Sequence, residues 1–246
     1  MLERMDYLDA ARDAASFLLE ELRDADGRLL RTYNAGEAKL NAYLEDHAFL
    51  LEALLTLYES SFDVRWFDAA RATADTMIER FADDERGGFF QTSSDHEQLV
   101  ARRKEIDDAP IPSGQSSAAF GLLRLAALTG EARYEEHGTS VLYLFADLLR
   151  RSPLAFGHLL QALDFHLAPA REVALVGADT AALERAVRAE FRPHVVLARG
   201  DGDDAAGVPL LEGRTALDGR AAAYVCERFS CLRPVSEPAE LQALLA

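Results

Sequence analysis

Lysine is nearly missing from this chain. Only Lys39 and Lys104 occur in 246 residues, so 24 of the 26 basic residues are arginine. Positive charge as a whole is scarce, because 42 acids oppose it and the formal net charge is −16. Phosphate backbones would be repelled, which argues against nucleic-acid binding. Only Cys226 and Cys231 are present, too few for a disulfide framework. No run approaches the roughly 18 uninterrupted apolar residues of a membrane span. The start, "MLERMDYLDAARDAA", has early acids and no apolar signal region, so a cytoplasmic location is expected. No G-x-x-x-x-G-K-[ST], G-x-G-x-x-G or H-E-x-x-H motif occurs, and neither a metal nor a cofactor is expected.

Hydrophobic residues make up 49% of the chain, enough for one sizeable core or a core plus a small second domain. They are arranged in an internal repeat. "MDYLDAARDAASFLLEELRDADGRLLRTY" (5–33) and "DVRWFDAARATADTMIERFADDERGGFFQT" (63–92) share an aromatic, then "DAAR", then an apolar stripe at helical spacing. In the first copy the stripe is Leu8, Ala11, Ala15, Leu18, Leu19 and Leu22, the mark of an amphipathic helix. Gly27 and Gly87 read as helix stops. "ARYEEHGTSVLYLFADLL" (132–149) is a third, degenerate copy.

Between these lie helices apolar around nearly their whole circumference, "HAFLLEALLTLYE" (47–59), "AAFGLLRLAALTG" (118–130) and "PLAFGHLLQALDFHL" (153–167). Such helices are buried on all sides. Three amphipathic outer helices paired with three buried inner ones predict part of an α/α toroid over residues 1–168. A flat helical solenoid is the competing architecture. From 169 the pattern changes to a small α/β domain, 169–246. Strand character over 171–176 and 194–200 brackets a helix over 180–191, a β-α-β unit. A polar loop follows at 200–207, then a strand over 221–229. A closing helix over 236–246 would be capped by Ser236, with Pro238 in its first turn.

These blocks carry a resemblance. "YLEDHAFLLEALLTLYESSFDVRWFDAA", "GGFFQTSSDHEQLVARRKEIDDAPIPSGQSSAAFGLLRLAALTG", "LLQALDF", "EVALVG" and "AAYVCERFSC" resemble, in order, the C-terminal part of the spermatogenesis-associated protein 20 family of thioredoxin-domain-containing proteins. The resemblance implies the end of an (α/α)6 toroid like those of N-acetylglucosamine 2-epimerases and six-hairpin glycosidases, followed by the small domain. Full-length members place a thioredoxin-like domain first. On this resemblance the chain is expected to start inside the toroid, and no redox activity is expected to carry over from that domain. The family pattern near "DGAxPSGNS" is altered here, with Asp108 where glycine is usual and Gln115 where asparagine is usual.

Two polar clusters are candidates for chemistry. In "RRKEIDDAPIPSGQSS", Ser113 after Pro112 and before an apolar run has N-cap character. Gly114 permits close backbone approach, and Gln115 and Ser116 offer donors. The first amides of the helix carry partial positive charge and could hold a carboxylate, a phosphate or sugar hydroxyls. Arg102, Arg103 and Lys104 would add charge at the mouth of the ring, and Asp107 or Asp108 could act as a base. The plain alternative is a solvated loop with a good cap. In "AYLEDHAF", Tyr43, Asp46 and His47 fall on one helical face with Glu45 beside them. An imidazole beside a carboxylate suits proton transfer near neutral pH, although Glu45 and Asp46 also suit a helix N-terminus. Asp164 and His166, with His158 eight residues earlier, could face the same cavity. Trp66, Phe89 and Phe90 read as core. Cys226 and Cys231 are spaced C-x4-C. On one strand they point to opposite faces, so pairing would need a turn at "ERFS", and free thiols are expected.

Two functions follow. The chain contributes a pocket for a sugar or sugar-phosphate without a complete active site, or, in a complete protein, performs isomerase-, epimerase- or hydrolase-like chemistry. Otherwise it is a non-catalytic scaffold for a thioredoxin domain. Half a ring would expose an apolar edge, predicting a homodimer or association with the missing toroid and thioredoxin portion.

Overall fold

The computed structural model describes residues 4–96, 101–201 and 207–246. Outer helices α1 (Met5–Glu21), α3 (Val64–Phe81) and α5 (Ala132–Arg151) alternate with inner helices α2 (Leu44–Ser61), α4 (Gly114–Thr129) and α6 (Gly157–Leu167). This is the layered arrangement of part of an α/α toroid. The inner helices lie side by side, with α4 between α2 and α6. Each of α3 and α5 packs most closely on the inner helix that precedes it, so the expected grouping shifts by one element. The tight turns are those from inner to outer, at Phe62–Asp63 and Gly130–Glu131. Phe62 and Gly130 each take the left-handed conformation that ends an α-helix.

The connections from outer to inner helices are long and carry structure of their own. The first holds a hairpin not expected from the sequence, β1 (Leu30–Asn34) with β2 (Glu37–Asn41). Its two strands are largely exposed, so no alternation of apolar residues marks them. α1 stops at Glu21 and α3 at Phe81, each several residues before the glycine expected to stop it. Gly27 and Gly87 instead sit in the turns that follow, both with positive φ.

The last third is a four-stranded sheet in the order β4-β3-β5-β6. β3 (Arg171–Val176) and β4 (Val195–Gly200) are parallel across α7 (Ala181–Arg188). β5 (Ala222–Glu227) is antiparallel to β3 and turns back into the short β6 (Ser230–Cys231). Alternation along β3 splits its side chains. Ala174 and Val176 join the helical core, while Val173 and Leu175 join a second core with Leu183, Val187, Val225 and Leu241. The second core lies beneath α7 and α8 (Pro238–Leu245). Residue Glu237 is the N-cap of α8 and makes no side-chain cap bond, and Ser236 Oγ is buried without a partner among the described residues, so Ser236 is not the cap expected. Of the loop expected at 200–207, residues 202–206 lie outside the described residues.

Trp66 and Phe89 are fully buried, as core packing requires. Two glycines on α4, Gly114 and Gly121, let it approach α2 closely. A Cβ on Gly114 would stand 3.0 Å from the amide nitrogen of Glu45, and one on Gly121 would stand 2.9 Å from Leu51 Cδ2. The close backbone approach expected of Gly114 is therefore made by α2 itself. Backbone cannot yield as a side chain can, so Gly114→Ala should cost about 1–3 kcal/mol of stability. Urea unfolding measures this, and an unchanged midpoint would mean that the two helix starts are not locked together.

Candidate functional site

The amino ends of the inner helices lie close together, and their amides need acceptors. The segment from Arg102 to Ser116 supplies most of them. Ser113 Oγ accepts the amide of Ser116 at 3.1 Å, as an N-cap should. Glu105 Oε2 accepts the amide of Gly114 at 3.1 Å. Asp108 Oδ1 accepts the amide of Ser113 at 2.8 Å, and Oδ2 accepts the amide of His158, in the first turn of α6, at 2.8 Å. Leu159 adds its amide at 3.4 Å. Burial works to raise the Asp108 pKa, but these amides and the Ser116 hydroxyl outweigh it and hold the carboxyl below its usual range. Asp108 is thus an ionised staple between α4 and α6, with its oxygens spent on amides. Asp107 beside it is exposed.

The basic cluster faces the protein too. Arg102 donates from Nε to the Thr92 carbonyl at 3.1 Å and from Nη2 to the Arg80 carbonyl at 3.0 Å, and lies over the Phe90 ring. Lys104 pairs with Asp83 at 2.7 Å and donates to the Gly87 carbonyl. The Arg103 side chain is exposed, while its carbonyl accepts the amide of Gln91 at 2.7 Å. Gln91 passes the connection on, its own carbonyl accepting the amide of Leu44 at 3.0 Å at the start of α2. Fully buried Gln115 accepts the Phe89 amide at 3.1 Å and donates to the Phe89 carbonyl. Its amide completes a backbone ladder in place of binding a ligand.

At α2 the expected acid–base pair does not form. Asp46 Oδ2 accepts the amide of Tyr43 at 2.8 Å and pairs with Arg31 at 2.9 Å. Glu45 pairs with the same guanidinium at 2.8 Å. His47 Nδ1 lies 2.9 Å from the Tyr43 carbonyl. Burial holds His47 below its ordinary pKa, so it stays neutral. Tyr43 is the N-cap residue, stacked on His96 with Arg31 against its ring. Asp164 does not share a cavity with His158. It pairs with His194 at 2.6 Å at the far end of α6 and is mostly exposed.

A different pair lies on the inner helices. Glu52 of α2 meets His158 Nε2 of α6 at 2.8 Å, with both side chains under one-fifth exposed. Phe120 of α4 stands edge-on to His158, ring centres 5.6 Å apart. A turn further along α4, Arg124 pairs with Glu59 at 2.9 Å. The hydrogen bond that His158 Nε2 donates to the Glu52 carboxylate raises the His158 pKa against the opposing effect of burial. A signal for this pair existed in the sequence, because Glu52 is a lone charge in the middle of an apolar helix.

A cavity of about 1210 Å3 opens elsewhere, between the carboxyl ends of α4 and α6 and the hairpin of β5 and β6. Glu172, His166, Arg214, Tyr224 and Cys231 line it; of the residues expected to face a cavity His166 does so, whereas the residues of the two polar clusters and Asp164 do not. Cys226 and Cys231 form a disulfide, contrary to the expectation of free thiols. The required turn exists because Arg228 and Phe229 both take positive φ, which folds β6 back so that the cysteines face each other.

No family model matches the chain. It is 32% identical to human spermatogenesis-associated protein 20 over 256 residues, which is 97% of this chain and 33% of that protein. The mouse protein of the same name is 31% identical, over 96% of this chain and 32% of its own length. Over the residues that the chain spans, these matches bear out the resemblance to the spermatogenesis-associated protein 20 family that the sequence carries. The chain spans about a third of the length of these curated relatives. An uncharacterized protein of Caenorhabditis elegans is 26% identical over 98% of this chain. Among solved structures, cellobiose 2-epimerase from Spirochaeta thermophila is similar, with TM-score 0.48 and 23% identity over 58% of this chain and 38% of that one. No helix among the described residues is long and apolar enough to cross a membrane.

The raised pKa of His158 gives a pH test. Its contribution to stability is full below the ordinary imidazole value, about 6.5, and is lost as pH rises through the higher folded value. His158→Gln should therefore cost more stability at about pH 6 than at about pH 9. Urea unfolding at both pH values checks this, and an equal cost would place His158 outside the ion pair.

Proposed function

We propose that the chain forms one wall of a pocket for a polyhydroxylated, sugar-type ligand within a larger α/α ring, without a complete acid–base centre at the inner-helix starts. The observation that carries this reading is the Glu52–His158 pair beside Phe120, drawn from three adjacent inner helices and partly open. A carboxylate, an imidazole and an aromatic ring are the groups that recognise hydroxyls and the C–H face of a sugar ring. Asp46, His47 and Asp108 are engaged in internal bonds, which argues against their acting on a ligand. The protein's homology to spermatogenesis-associated protein 20 over nearly its whole length fits a segment of a longer ring.

The alternative is epimerase- or isomerase-like proton transfer by the same pair. It is favoured by the raised pKa of His158, which brings the imidazolium closer to neutral pH. Both readings are tested by titrating a panel of sugars and sugar phosphates into the folded chain by calorimetry. Binding that weakens roughly tenfold or more in Glu52→Gln is expected, since a hydrogen bond to a charged group is worth about 1.5–3 kcal/mol. No binding by any panel member, or equal binding by the variant, contradicts the proposal. Solvent deuterium entering a bound sugar next to its carbonyl would favour the alternative.

A further inference from the structure

The disulfide at the rim of the large cavity faces a cation that, among the described residues, has no carboxylate paired with it. Arg214 follows the 3-10 turn Pro209–Leu211 and is half-buried. Among the described residues no carboxylate lies within ion-pair distance of it. Its Nη1 donates to the Glu212 carbonyl at 3.3 Å. Its Nη2 lies 3.1 Å from Cys231 Sγ and 3.5 Å from Cys226 Sγ. Its Nε is shielded from solvent and has no partner among the described residues. Tyr224 lies beside it, its ring centre 5.9 Å away. Glu172 is the neighbouring buried acid, but its Oε2 accepts the Phe229 amide at 2.7 Å. Burial depresses the Arg214 pKa, and the Glu172 charge only partly offsets this.

Disulfide sulfur is a weak acceptor and carries no charge, so it repays little of the cost of burying a guanidinium. A thiolate in the same position would repay much more, because a neighbouring arginine favours the ionised thiol. Reduction of the disulfide therefore supplies, beside Arg214, the negative charge that no described residue places within ion-pair distance of it. The geometry points to Cys226–Cys231 as a reversible redox site, reduced by a dithiol and held in its reduced form by Arg214.

Cys231 is exposed and lines the cavity, whereas Cys226 is buried. One thiolate of the dithiol attacks Cys231 Sγ. The S–S bond breaks, and its electron pair leaves on Cys226 Sγ beside Arg214. The second thiol of the reductant loses its proton and attacks its own sulfur in the mixed disulfide, releasing Cys231. Two electrons have passed to the protein, and the reductant has become a cyclic disulfide. Of its two protons, one goes to Cys231 and one to solvent while Cys226 remains a thiolate.

The hairpin is anchored independently of the bond. Glu172 holds the Phe229 amide, and the Phe229 ring packs on Gly130, whose added Cβ would stand 3.1 Å from ring carbons. The opened pair is thereby kept within reach for reclosure.

The test equilibrates the folded chain with mixtures of reduced and oxidised dithiothreitol, alkylates it, and counts modified cysteines by mass. Arg214→Gln, Arg214→Lys and Cys226→Ser are measured in parallel, with circular dichroism as the check on folding. Wild type is expected to pass reversibly between zero and two modified cysteines without loss of helix. Arg214→Gln should shift the equilibrium toward the disulfide by roughly tenfold, and Arg214→Lys should shift it less. Cys226→Ser should take up oxidised glutathione at Cys231. The proposal is overturned if the native cysteines are already free, if reduction requires unfolding, if the Arg214→Gln equilibrium equals wild type, or if Cys231 takes up no glutathione.

Discussion

The carboxylate of Asp108 is shared between two inner helices. It takes the amide of Ser113 at one oxygen and the amides that open α6 at the other. The starts of buried helices crowd together, and each brings amides with no partner inside its own helix. Left unpaired away from water, each would cost on the order of 1–3 kcal/mol. The long connection before α4 answers that constraint with Asp108, Glu105 and Ser113, while Gln91 does the same for α2. An acid is favoured here also by the positive end of the helix dipole.

The same constraint explains why a strongly acidic chain concentrates basic residues just before a buried element. Arg102 and Lys104 turn inward to carbonyls and to Asp83, fixing the loop that carries the acids. Gln115 ties the loop's other neighbour, Phe89, into a backbone ladder. A segment that looks like a ligand-catching mouth is largely occupied with its own scaffold. Polar groups with capacity to spare lie elsewhere, at Glu52 and His158 on the inner helices and at the disulfide hairpin on the cavity wall.

Helices with strong periodicity were legible from the residues alone, as was the β-α-β unit, because burial imposes the pattern directly. The hairpin of β1 and β2 was not, because its exposed strands carry no apolar alternation. The disulfide was hidden by its turn, where Arg228 and Phe229 adopt a conformation usually left to glycine or asparagine. Glu52 and His158 are 106 positions apart, so only the packing of the inner helices brings them together. The helix-start character of Ser113 and of the "LED" acids was visible. Which carboxylate would reach across to a second helix was not, since that depends on how α4 and α6 are set side by side.

The most direct test of this account is native-state hydrogen exchange of Asp108→Asn against wild type. The account predicts that protection at Ser113, His158 and Leu159 falls together, while the strands β3 and β4 keep theirs. Unchanged protection at those three amides, or a loss spread evenly over the whole chain, would contradict it.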